Sequence, residues 1–158
     1  MVACYQVELD SRTSHWLLVR HQAAYFSCLF RKYKRMTNKV LSVGQCGADH
    51  GSISGLLRGE FGAEVSAADS LQEALTKAQG TEYQLILINR VLDRDGSPGL
   101  AVVRALKQDA ATSNVPVMLV SNYADAQSEA VTEGALPGFG KSELRAPETR
   151  QKLQAVLG

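Results

Sequence analysis

The chain of 158 residues is 45% hydrophobic and 21% charged, with a net charge of +1, a balance that fits one compact soluble domain with a real core and argues against two. The small net charge conceals an asymmetry: residues 1–37 hold six Lys/Arg (Arg12, Arg20, Arg31, Lys32, Lys34, Arg35) against Glu8 and Asp10, net +4. That leaves net −3 for the other 121 residues, which excludes a nucleic-acid footprint there.

The cysteines (Cys4, Cys28, Cys46) form no C-x-x-C pair, so neither a disulfide framework nor a zinc site is expected and a reducing cytoplasm is the default. "HWLLVRHQAAYFSCLF" is broken by Arg20, His21 and Gln22, short of the roughly 18 to 20 apolar residues a spanning helix needs. It also lacks the basic start and cleavage site of a secretory signal.

From Lys39 onward, short apolar runs alternate with segments of helical period, the mark of a parallel sheet built from βαβ units. "KVLSV" (39–43) is the first strand, and Ile53, Leu56, Leu57 and Phe61 stripe the first helix after Gly47. "AEVSAA" (63–68) is the second strand. Ser70 with Glu73 predicts a capping box for a helix that ends at Gly80. "QLILI" (84–88) is the central strand, and "LAVVRALKQ" (100–108) the third helix. "VPVMLVS" (115–121) is the fourth strand, with Pro116 at its start. Asp125 is the expected cap of a fourth helix through Glu133. "GFGK" (138–141) is a brief fifth strand, and Pro147 opens a last helix through Leu157.

In such sheets the working residues lie just past the carboxyl ends of the strands. Here these are Gly44, Gln45 and Cys46, then Asn89, then Ser121 and Asn122, then Lys141. Three stretches, "LILIN", "VPVMLVS" and "EGALPGFGK", ending in Asn89, Ser121 and Lys141, carry a family likeness. Over 38–158 the sequence resembles the receiver (CheY-like) domain of two-component response regulators. The resemblance implies a flavodoxin-like (βα)5 doubly wound sandwich, its five-stranded parallel sheet in the order 2-1-3-4-5.

Carried over position by position, the resemblance places the metal-holding acidic pair on Gly44 and Gln45, the phosphoacceptor on Asn89, and the hydroxyl and lysine on Ser121 and Lys141. The aromatic switch falls on Gly138, and the proline after the lysine is Ser142. Phosphoryl transfer to a receiver needs a carboxylate nucleophile and a divalent cation, and Mg²⁺ ordinarily takes one or two carboxylates. All three inner carboxylates are replaced, so the pocket is expected to be degenerate, with no metal, no cofactor and no catalysis. Restoring Asp at 44, 45 and 89 together is expected to restore metal binding.

Other rim residues have plainer explanations. Asp93 and Asp95 could replace the acceptor, but D-R-D-G-S reads as a surface turn with Gly96 at positive φ. Asp49, His50 and Cys46 could join that loop around a metal, yet Asp49 reads as a helix N-cap and Cys46 as a packing residue. Lys141 is expected to bond Asn89 or to pair with Asp93 or Asp95; contact with an external anion is the alternative. In residues 1–37, Trp16, Val19, Ala23, Phe26 and Phe30 recur at roughly helical spacing before "RKYKR". That pattern would suit a basic amphipathic helix on a membrane or partner. "MTNKVLSV" from Met36 is nonetheless how receiver-like chains usually begin, so residues 1–37 are expected to lie outside the fold.

The expected function is a stand-alone receiver-like domain of two-component or phosphorelay signalling that works by protein contact, independently of aspartyl phosphorylation. Its expected partner is a histidine kinase, another regulator, an enzyme or a second copy of the chain. The resemblance points to a face of the fourth helix, fifth strand and fifth helix, with Ser128, Val131, Glu143 and Arg150. The alternative is a small-molecule or anion-binding module using the same strand-end rim.

Overall fold

The computed structural model describes residues 37–158. Strands β1 (Lys39–Val43), β2 (Glu64–Ala68), β3 (Leu85–Asn89), β4 (Val117–Val120) and β5 (Leu136–Phe139) form one parallel sheet in the order β2-β1-β3-β4-β5. Helices α1 (Gly47–Phe61), α2 (Leu71–Gly80), α3 (Gly99–Gln108), α4 (Ala124–Thr132) and α5 (Pro147–Leu157) make the crossovers. This is the expected doubly wound sandwich. Both readings of the segment before Thr37 lie outside the described residues.

Strand alternation sorts the apolar residues into two layers. Leu41, Val43, Ile86, Ile88, Val117 and Leu119 pack beneath α2, α3 and α4, with Val102, Val103 and Leu106. Val40, Leu85, Leu87, Met118, Val120 and Phe139 pack beneath α1 and α5, with Ile53, Leu57, Leu153 and Leu157. Each β3 residue is buried, which is why that run shows no polar alternation.

Register places the site. Val43 pairs with Ala68 and Ile88, and Asn89 with Val120. The carboxyl ends of β2, β1, β3 and β4 therefore align, and the loops after β1, β3 and β4 converge on one rim where strand order reverses.

Several sequence-based boundaries move. Asp125 does not cap α4: Tyr123 is the N-cap, and the Asp125 carboxylate accepts only from the next amide, Ala126 N, at 2.9 Å. Asp49 does not cap α1 either; Cys46 is the N-cap and Asp49 lies in the first turn. The α2 box is half formed: Ser70 Oγ accepts from Glu73 N at 3.3 Å, but Glu73 Oε2 accepts from Asp69 N at 2.9 Å. β5 lies two residues earlier than expected, and its pairing shifts register between Met118 and Val120. It is an edge strand, with Leu136 and Pro137 exposed and Lys152 Nζ donating to Gly138 O at 2.6 Å.

Candidate site at the strand-end rim

Asn89, the last residue of β3, is 8% exposed, and its Nδ2 donates to Gly44 O at 2.9 Å and Val91 O at 2.6 Å. Both partners are carbonyls, so the nitrogen side of the amide has to face them. The side chain thereby ties the loop after β1 to the loop after β3. A carboxylate in the same place would press a negative oxygen against two carbonyl oxygens.

Gly44 is required twice over. Its φ of +66° lies in the left-handed region, and an added Cβ would overlap Leu92 Cγ and lie 2.9 Å from Leu92 Cα. The expectation that Asp at 44, 45 and 89 would restore a metal site therefore fails at its first position, where the backbone leaves no room for a side chain. Gly138 is required for space alone: a Cβ there would run into the Leu119 carbonyl. Gln45 is 9% exposed with both amide atoms unpartnered among the described residues.

Ser121, 3% exposed, uses its Oγ to accept from Tyr123 N at 3.1 Å, while its carbonyl accepts from Gln127 Nε2 at 2.7 Å. Lys141 does not bond Asn89, Asp93 or Asp95, which corrects the sequence reading. Its Nζ donates to Asp49 Oδ2 at 2.6 Å, across 92 positions of sequence. The ammonium, helped by the Cys46 thiol, holds the Asp49 carboxyl below its usual pKa against the opposing effect of partial burial. Sequence reasoning weighed Asp49 as a metal ligand or a helix N-cap and missed its pairing with Lys141. The available signal was its isolation, for it is the only acid between Asp10 and Glu60.

Asn89, Ser121 and Lys141 line one cleft of about 210 Å³, walled by Arg90 and Tyr123, whose guanidinium lies 4.5 Å from the ring centroid. Gly44 reaches this group only through its carbonyl, and Gln45 does not line the cleft. A second cleft of about 270 Å³ lies on the other side of Lys141, with Asp49, Ser52 and Arg145 at its edge. The β3–α3 loop is the expected turn. Gly96 has φ +70°, and Asp95 accepts from the Ser97 amide at 3.0 Å and from its hydroxyl, which lowers the carboxyl pKa. His50 turns along its helix to Ser54 Oγ at 3.2 Å. No group of three or more His, Cys, Asp and Glu that could hold a metal ion forms among the described residues.

On the adjoining face, a groove of about 500 Å³ runs between α4, β5 and α5, lined by Ser128, Val131, Pro137, Glu143 and Lys152. Arg150 does not belong to it. Its Nε and Nη2 turn toward α1 and donate to the two carboxylate oxygens of Glu60 at 2.7 and 2.6 Å.

No protein-family model matches the chain, and no curated protein sequence matches it. Solved structures do. A candidate response regulator from Chloroflexus aurantiacus J-10-fl superposes with a TM-score of 0.67 at 21% identity, over 77% of this chain and 98% of that one. The chemotaxis protein CheY4 of Vibrio cholerae gives 0.61 at 26% identity, over 77% and 99%. The signal receiver domain of the DNA-binding response regulator merR from Colwellia psychrerythraea 34H gives 0.60 at 20% identity, over 74% and 98%. The chain thus has the flavodoxin-like fold of CheY and of response-regulator receiver domains, the two-component signalling proteins whose structures it matches.

Proposed function

We propose that this is a receiver-like signalling domain of the pseudo-receiver kind, which acts in the cytoplasm by protein contact and neither catalyses a reaction nor depends on aspartyl phosphorylation. One observation carries the reading: the acceptor position is an amide whose NH₂ is spent on two backbone carbonyls, so it is neutral, fixed and a poor nucleophile. Two of the nearby carboxylates are engaged elsewhere, Asp49 with Lys141 and Asp95 with Ser97. The partner, a kinase, a regulator, an enzyme or a second copy, is assigned to the α4–β5–α5 groove, with Lys152 in the place first given to Arg150.

The small-molecule reading ranks second because the clefts beside Lys141, about 210 and 270 Å³, fall below the roughly 300 Å³ at which ligand pockets begin. The test is intact-protein mass spectrometry after incubation with acetyl phosphate and Mg²⁺. No mass gain is expected for the wild type. A base-labile phosphoryl adduct would overturn the reading, and mapping it to Asp93 or Asp95 would identify the acceptor.

A further inference from the structure

The Lys141–Asp49 contact does more than neutralise two charges, because of where its two ends are attached. Asp49 sits in the first turn of α1. Lys141 opens the 3-10 turn Lys141–Glu143, and that turn is held at every step. Glu143 Oε2 accepts from Gly140 N at 3.1 Å, and Glu143 O accepts from Ala146 N at 2.8 Å. Ser142 donates from both N and Oγ to Asn122 Oδ1, at 3.3 and 3.2 Å. The same turn supplies Ser142 and Glu143 to the α4–β5–α5 groove. One short segment therefore joins the rim, the residue after Ser121 and the proposed partner face.

Resting on the phosphorylation-independent reading above, we infer that Asp49 is a built-in anion for Lys141, a clamp that holds the 140–146 turn and its groove in one arrangement and closes Lys141 to anions from outside. The charges facing the pair are few. Arg145 shares the cleft and has no ion-pair partner among the described residues, and the Cys46 thiol helps to lower the pKa of the same carboxylate. With side chains 36% and 31% exposed, the pair adds little to global stability. Its effect is local, and local opening can be read by hydrogen exchange.

The experiment compares the wild type with Asp49→Asn and Asp49→Glu in the full chain. In Asp49→Asn, amide exchange across residues 140–146 should quicken about tenfold, and backbone resonances of Gln127, Ser128, Val131 and Lys152 should shift. Asp49→Glu should restore most of both. Inorganic phosphate should perturb Lys141 and Arg145 in Asp49→Asn and leave them unmoved in the wild type. Changes confined to the first turn of α1, or equal phosphate response in the two proteins, would overturn the clamp. A phosphoryl adduct on the wild type would instead overturn the reading beneath it, so the two failures are distinguishable.

Discussion

Gly44→Ala should cost as much as Gly44→Asp, although only one of them adds a charge. The cost comes from the Cβ, which both carry. Holding a non-glycine residue in the left-handed region costs about 1–2 kcal/mol, and φ here is +66°. The added atom also overlaps Leu92 Cγ and approaches Leu92 Cα at 2.9 Å. Leu92 is 1% exposed within the core beneath α3, so it has little freedom to retreat. Overpacking of this kind costs about 1–3 kcal/mol. Together the two give a loss of roughly 2–5 kcal/mol, a large share of a domain's ~5–15 kcal/mol, with a fall in Tm on the order of 10 °C. Urea unfolding followed by circular dichroism measures it. A loss within about 0.5 kcal/mol for Gly44→Ala would show that the loops after β1 and β3 adapt freely, and the steric account of this position would be wrong.

Asn89→Asp should destabilise by about 2–4 kcal/mol at neutral pH, since it removes two donors and sets a carboxylate against two carbonyls. That environment raises the folded-state pKa of the new carboxyl above its unfolded value, so the loss should shrink as pH falls from 8 towards 5; a flat difference between variant and wild type across that range would refute it. Lys141→Met should change stability by less than about 1 kcal/mol, because its partner keeps access to water; a loss above about 3 kcal/mol in urea would indicate a desolvated pair. The Asp49 carboxyl has a depressed folded-state pKa, so its contribution is present above the unfolded value and disappears as pH falls through the folded one. Protection factors across 140–146, which allow for the intrinsic slowing of exchange in acid, should therefore fall on acidification in the wild type and be insensitive to that titration in Asp49→Asn. A chain beginning at Met36 should melt within a degree or so of the full chain, and scanning calorimetry would show a larger drop if the preceding residues pack on the domain.

The strands were legible because a parallel sheet leaves apolar runs that periodicity detects, and the glycine and proline boundaries of α2 and α5 name themselves in the sequence. Asn89 was legible as the end of its strand. What it bonds was not, because Gly44 O is a backbone atom 45 residues away and residue identity says nothing about it. The start of α4 was misread because an Asp near a helix end looks like a cap, while here the preceding aromatic Tyr123 takes that place under Arg90. β5 was misplaced because "LPGF" looks like a turn. Its glycine in fact answers a close approach to the Leu119 carbonyl, which only the folded chain contains. The Lys141–Asp49 pair depends on how far α1 reaches around the rim, a tertiary distance with no local signature.

Pro137 and Lys152 have a consequence for the kind of assembly the domain can enter. An exposed sheet edge invites another chain to add itself as a further strand. On β5 that invitation is withdrawn: Pro137 has no N–H to offer, and the outward carbonyl of Gly138 is already taken by the Lys152 ammonium at 2.6 Å. A partner arriving at this face cannot zip onto the backbone. It has to recognise side chains, and so its affinity is tunable one residue at a time, without risk that the sheet itself will polymerise through that edge.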